Sequence, residues 1–181
     1  MGEDKKTSEI DLLAMDEGLS YEELLVKYLS ENDITISTAE SCTGGLIAAK
    51  IINVPGISEF FREGFITYSN KSKRKTLDVS KSTIRKEGAV SEQTAKEMAT
   101  GAAMKADTDM AVSVTGNAGP ETLEDKPVGR VYIGIYLKGK VKAFEYDFEG
   151  SRNEIRTQAA DEALKLASLA IKKYLEKKKT N

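Results

Sequence analysis

Histidine is absent from this chain of 181 residues, tryptophan is absent too, and cysteine occurs once, at Cys42. Without histidine, any hydroxyl nucleophile must hand its proton to a lysine, a tyrosine or a carboxylate, because the usual imidazole base is missing. A lone cysteine excludes an internal disulfide and points to a reducing, cytoplasmic setting. With no histidine, one cysteine and no carboxylate cluster at ligand spacing, no metal or other cofactor is expected. No run approaches the roughly 18 uncharged apolar residues that span a bilayer. The polar N-terminal stretch also lacks the apolar core of a secretion signal, so no membrane partner is expected. A formal net charge of −2 and thin aromatic content give no basic field, which disfavours nucleic acid as a partner.

What remains is the composition of an ordinary globular domain, 40% hydrophobic and 31% charged, long enough for one sizeable core. There is no internal repeat and no linker rich in proline or serine. Residues 1–18 read as an N-terminal extension whose Leu12, Leu13 and Met15 could dock on the body. Residues 19–176 read as the domain, and the Lys177–Lys179 run as a frayed, solvated tail.

Two capping boxes, Ser20-Tyr21-Glu22-Glu23 and Ser151-Arg152-Asn153-Glu154, predict the starts of the first and last helices, the last reaching about Glu176. Between them the pattern predicts a strand at Ile34–Thr38, a buried helix at Leu46–Ile52 and a helical turn at Ser58–Phe61. A strand at Gly64–Tyr68 and a short basic helix at Asn70–Leu77 follow. Ser91 caps a helix to about Lys105, with Ala95, Met98, Ala99, Ala102 and Ala103 on one face, small enough for close packing on a sheet. Met110–Val114 is a further strand. Arg130–Leu137 and Val141–Phe148 form a hairpin turning near Lys138–Gly139. This order implies a single-domain three-layer α/β/α sandwich with a mixed, mostly parallel sheet and a late antiparallel hairpin.

Three loops at strand ends carry small or hydroxyl residues: Ser41–Gly45, Tyr68–Lys73 and Thr115–Pro120. If their strands are parallel, the loops converge beyond the carboxyl ends, where open α/β sheets bind ligands. In the stretch TAESCTGG (Thr38–Gly45), Ser41 is either a nucleophile or a cap for the helix that follows. Cys42 is either a thiolate favoured by that helix start or a small core residue. The first N–H groups of the helix lack internal partners and are open to a ligand. Lys73 in a dry site could act as base, with the Tyr68 phenol relaying a proton or holding the nucleophile. Lys71, Lys73, Arg74 and Lys75 also read as a solvated basic cluster, and charge alone does not single out Lys73. Thr115–Pro120 is either a phosphate-binding nest or a tight turn. Arg152 sits in the first turn of a helix, where the macrodipole gives a cation no benefit, and so points either to an anionic partner or to an exposed arginine without function.

The segments TAESCTGG (Thr38–Gly45), VPG (Val54–Gly56), YSNKSK (Tyr68–Lys73), GAVSE (Gly88–Glu92), VTGNAGP (Val114–Pro120) and KPVG (Lys126–Gly129) occur in one order. Through them the chain resembles the CinA C-terminal domain family, also found alone as nicotinamide-nucleotide amidase, from about Ser20 to Leu175. The first 18 residues, and the pyrophosphatase-type N-terminal domain of full-length members, lie outside the similarity. The resemblance implies hydrolysis of nicotinamide mononucleotide to nicotinate mononucleotide and ammonia, a step in pyridine-nucleotide salvage. It implies a serine nucleophile working with a tyrosine and a lysine, without metal, and these roles fall on Ser41, Tyr68 and Lys73. Substrate contacts then fall on Cys42, Thr43, Gly44, Gly45, Asn70, Thr115, Gly116, Gly119 and Arg152, the last meeting the phosphate. The N–H groups around Cys42–Gly44 would stabilise the oxyanion, a contribution of about 3 kcal/mol per donor. Self-association into a homo-oligomer is also implied.

The chain departs from the family pattern at Asn117, where an aliphatic residue is usual, and at Ser151, where aspartate is common. Glu121–Asp125 is acidic where a glycine-rich stretch is expected. If that loop lines the nucleotide pocket, its carboxylates oppose the phosphate. A catalytically silent nucleotide-binding module is therefore the rival reading, and an amidase using Cys42 a third.

Overall fold

The structure, a computed structural model, describes residues 17–180. The N-terminal extension expected from the sequence lies, up to Asp16, outside them. Helix α1 (Tyr21–Glu31) leads into strand β1 (Ile36–Glu40), helix α2 (Leu46–Ile52), a 3₁₀ turn (Ile57–Glu59) and strand β2 (Phe61–Ile66). Helices α3 (Asn70–Leu77), α4 (Lys81–Lys86) and α5 (Glu92–Ala106) follow. The chain then forms strands β3 (Met110–Gly116), β4 (Arg130–Leu137) and β5 (Lys140–Asp147) and ends in helix α6 (Arg152–Lys179).

Both expected capping boxes are present. The Ser20 hydroxyl accepts the Glu23 amide while Glu23 accepts the Ser20 amide, and Ser151 and Glu154 repeat the arrangement. Helix α6 continues through the Lys177–Lys179 run, where cations suit the negative end of the macrodipole. Strands β1 and β2 differ in extent from expectation. β1 runs to Glu40 and β2 begins at Phe61, because Ile36–Glu40 pairs in parallel with β2 on one side and with Met110–Val114 on the other. This leaves Tyr68 beyond the end of β2. Helix α4 has no counterpart in the sequence reading; Ser80 caps it, but six residues with one buried side chain are too few to show a period.

The sheet order is β2-β1-β3-β4-β5, with β1 parallel to β2 and β3 and the hairpin β4–β5 antiparallel. One face, including Ile36, Val112, Val114, Ile133 and Ile135, packs against α1, α2 and α6. The other face, including Ala39 and Ala111, meets α5 through Met98, Ala102 and Ala103, and Leu77 at the end of α3 joins that cluster. The mixed three-layer α/β/α sandwich expected from the sequence is the observed architecture.

Two glycines set how closely the second layer approaches. A Cβ on Gly134 of β4 would fall 2.5 Å from the Ala95 carbonyl oxygen of α5, and one on Gly101 of α5 would fall 2.0 Å from that of Leu77. Helix α5 therefore seats directly on the sheet, and α3 seats on α5. That double contact fixes the height at which α3 delivers Lys73 to the carboxyl end of β1.

Candidate active site

The carboxyl ends of β1, β2 and β3 point the same way, so the three loops singled out in the sequence share one edge of the sheet. The Ser41 amide donates to the Val114 carbonyl at 2.9 Å and the Thr67 amide to that of Glu40 at 2.9 Å, which extends the pairing one residue beyond the strands. Lys73 stands one turn from Leu77 on the inward face of α3 and is 1% exposed, whereas Lys71, Arg74 and Lys75 face solvent. Its Nζ donates to the Thr67 carbonyl at 2.8 Å and lies 2.9 Å from the Ser41 Oγ. Burial depresses the Lys73 pKa to about 8, against smaller upward pulls from Cys42 and Glu124. The neutral amine can thus face Ser41 with its lone pair while Thr67 holds an N–H. The capping role considered for Ser41 is not observed. Its Oγ does not cap α2, which begins at Leu46 with Gly45 as an N-cap lacking any side-chain bond.

The start of α2 is not open to a ligand, contrary to expectation. The buried carboxylate of Glu40 accepts the amides of Gly45 (3.0 Å), Ile47 (3.0 Å) and Ala48 (2.9 Å). Sequence reasoning missed this carboxylate, because it reaches forward from the preceding strand rather than from the helix's own first turn. Within the loop, the Gly44 amide donates to the Ser41 carbonyl at 3.1 Å. Of the amides proposed for the oxyanion, that of Thr43 has no acceptor among the described residues and that of Cys42 none beyond its own thiol. The Cys42 thiol is buried and its pKa is pushed up to about 11 by desolvation, so it stays protonated and serves as packing. Arg156, also missed, donates from Nε to the Cys42 carbonyl at 3.0 Å and from Nη2 to the Thr43 carbonyl at 2.9 Å. No signal in the sequence marks it, because it lies in the second turn of α6 and acts on backbone carbonyls of a loop distant in the chain.

Tyr68 is not held against Ser41. It is 62% exposed, and its hydroxyl accepts from Arg152 Nη2 at 2.9 Å. Arg152 Nη1 donates to the Gly119 carbonyl, so this arginine ties the β2–α3 connection to the loop after β3. Asn70 opens α3 and is exposed. Thr115 is buried and its hydroxyl donates to the Ala89 carbonyl at 2.7 Å. A Cβ on Gly116 would fall 2.7 Å from Val131 Cγ2, so packing accounts for that glycine. Asn117 is buried as a loop organiser: its Oδ1 accepts the Gly119 amide at 3.0 Å and its Nδ2 donates to the Lys126 carbonyl at 3.3 Å. Ser151 fills the N-cap of α6, a place aspartate fills equally well.

The acidic loop has a local reason for one of its carboxylates. Glu124 accepts the Ala89 and Val90 amides, each at 3.0 Å, and so fastens the loop to the segment before α5. Its charge also raises the Lys73 pKa. Glu124→Gln is therefore expected to move the acid limb of the pH–rate profile to lower pH, because less field then favours the ammonium form. A limb measured at the same pH in both proteins would show that the Glu124 charge does not act on Lys73.

The described residues contain no helix long and apolar enough to cross a membrane. A cavity of about 240 Å³ lined by Leu137, Phe144, Leu166 and Tyr174, among others, and bordered by lysines lies at the opposite end of the sheet from Ser41.

The family model of the CinA C-terminal domain matches residues 19–171. A putative competence-damage inducible protein of Clostridium beijerinckii is 54% identical over 145 residues, which are 79% of this chain and 35% of that protein. A CinA-like protein of Kosmotoga olearia is 52% identical over 153 residues, 84% and 37% of the two chains. This chain thus spans just over a third of the length of these relatives. Among solved structures, a CinA superfamily protein from Klebsiella pneumoniae matches with TM-score 0.82 at 31% identity, covering 83% of this chain and 95% of that one. A competence/damage inducible protein from Agrobacterium tumefaciens matches with TM-score 0.79 at 39% identity, covering 84% and 95%. Motifs, fold and relatives agree, and the chain belongs to the CinA C-terminal domain family.

Proposed function

We propose that this domain hydrolyses the carboxamide of nicotinamide mononucleotide, giving nicotinate mononucleotide and ammonia through a serine acyl-enzyme. The observation that carries the reading is the buried Ser41–Lys73 pair, 2.9 Å apart, with the lysine pKa lowered to about 8. A base poised near the working pH is what proton transfer from a hydroxyl requires. Neutral Lys73 takes the Ser41 proton as Oγ attacks the carboxamide carbon. The carbonyl oxygen gains negative charge and is met by the amides of Cys42 and Thr43. The C–N bond then breaks, and the leaving nitrogen takes the proton from Lys73 and departs as ammonia. Water adds to the acyl carbon, again giving its proton to Lys73, and Ser41 leaves with that proton as the acid product forms. Arg152 receives the phosphate, with Tyr68 steadying its guanidinium. In this scheme Lys73 alone moves the proton.

The test is release of ammonia from nicotinamide mononucleotide by the purified protein across pH 6–10. The expected result is turnover whose kcat/KM rises through an apparent pKa of about 8, because only the neutral amine accepts the proton. Saturable binding of the nucleotide with no ammonia at any pH would replace this reading by the silent nucleotide-binding module. The exposed acidic residues Glu121 and Asp125, in the loop that follows Gly119, favour that second reading.

A further inference from the structure

Two peptide units of the nucleophile loop have their orientation set by groups outside the reaction. The amide of Cys42 shares a trans peptide plane with the Ser41 carbonyl, which is turned away by the bond from the Gly44 amide. The amide of Thr43 shares its plane with the Cys42 carbonyl, which is taken by Arg156 Nε at 3.0 Å. In a trans peptide the N–H and C=O point in opposite directions, so each captured carbonyl fixes where the next amide points. Arg156 Nη2 also takes the Thr43 carbonyl at 2.9 Å, and that peptide carries the Gly44 amide that closes the turn on Ser41. One guanidinium therefore holds two consecutive peptides of the loop.

The loop needs such a clamp. Gly44 and Gly45 have φ of +62° and +97°, and glycine in the left-handed region holds its conformation only as strongly as its surroundings do. Glu40 secures the far end through the α2 amides, but it does not touch the Cys42–Thr43 peptide. A cation in the first turns of α6 gains nothing from that helix's dipole, so its placement answers to the loop rather than to α6. Its charge lies at the oxygen end of the peptide dipoles and strengthens the donor end. We infer that Arg156 is a positioning residue, aligning the Cys42 and Thr43 amides for the oxyanion that forms when Ser41 attacks. The inference rests on the serine reading above, and Arg156 itself touches neither substrate nor nucleophile.

The experiment pairs steady-state ammonia release with labelling by an alkyl fluorophosphonate. In labelling, Ser41 Oγ bonds to phosphorus, fluoride leaves and Lys73 takes the proton, so the phosphoryl oxygen occupies the oxyanion position. Arg156→Met is expected to lower both kcat and the labelling rate by about 10²–10³-fold, the range for losing an oxyanion donor, with KM within about threefold. Arg156→Lys keeps the charge without the fork and is expected to fall between Met and wild type. Added guanidinium ion, below denaturing concentration, is expected to restore at least tenfold of the loss in Arg156→Ala, a recovery that a folding defect would not give. Labelled wild type with equal labelling of Arg156→Met would overturn the inference alone. Wild type that neither labels nor turns over would overturn the serine reading and the inference with it. A variant losing only KM, or one with no guanidinium response and a labelling loss matched by its unfolded fraction, would also overturn it.

Discussion

Lys73→Met is expected to lose ammonia release by roughly 10²–10⁴-fold, the contribution of a positioned base, and yet to be more stable than wild type at pH 7. The two effects have one cause. Lys73 is buried with hydrogen bonds to Thr67 and Ser41 and, among the described residues, no salt bridge, and the field of Glu124 offsets only part of the desolvation, so its ammonium form is penalised in the fold. Its folded pKa of about 8 lies below the ordinary 10.5, so between these values the unfolded chain binds a proton that the native state does not. Wild-type stability contributed by this group therefore rises with pH across about 8 to 10.5 and is lowest below pH 8. Methionine of similar length removes the penalty. Chemical denaturation at pH 7 and pH 10 measures it: the advantage of Lys73→Met should shrink at the higher pH, and an advantage that grows would reverse the assigned sign. Lys71→Ala, altering an exposed neighbour, should keep most activity; equal losses would mean that the wrong lysine has been identified.

Ser41→Ala is expected to reduce ammonia release to background, on the order of 10⁴-fold or more for loss of a nucleophile, while nucleotide binding by titration calorimetry stays within a few-fold. Cys42→Ser should remain active. Its thiol is buried and protonated, and the contribution of that position to the reaction is a backbone amide that serine also carries. Activity that survives in Ser41→Ala and disappears in Cys42→Ser would reverse the assignment. The contrast is sharp because the two residues are adjacent: Ser41 faces Lys73, whereas Cys42 joins the core beneath α2 and α6.

The architecture was legible because periodicity and caps are local. Ser20, Ser91 and Ser151 each mark a helix start through bonds spanning three residues, and the small face of α5 announces its close seat on the sheet. The ends of β1 and β2 were not legible, because pairing with strands distant in sequence decides where they stop. The site divides in the same way. Ser41, Lys73 and Tyr68 lie in recognisable words, but the direction each side chain takes depends on packing. Helix α3 turns Lys73 inward and leaves Lys71, Arg74 and Lys75 outside, a choice made by Leu77 and Gly101 rather than by the charges themselves. The spacing of Tyr68 from Lys73 suggests a phenol that relays a proton or holds the nucleophile; in the fold its position past the end of β2 places its hydroxyl on Arg152 Nη2. Glu40, Glu124 and Arg156 act on backbone atoms remote from them or outside their own elements, and no word in the sequence carries that information.

The Glu40 carboxylate has a consequence for how such a domain diversifies. By engaging the amides at the start of α2, it leaves that helix with no free pole to attract an anion. On the proposed reading, the groups that break the bond come from the stretch Glu40–Lys73, and the cation that recognises the phosphate comes from α6 and meets a separate loop at Gly119. The reacting side chains and the phosphate-binding cation thus come from different stretches of chain. Exposed residues of the loop after Gly119, such as Glu121 and Asp125, can therefore change without moving Ser41 or Lys73, so new substrates can be tried without reinventing the nucleophile.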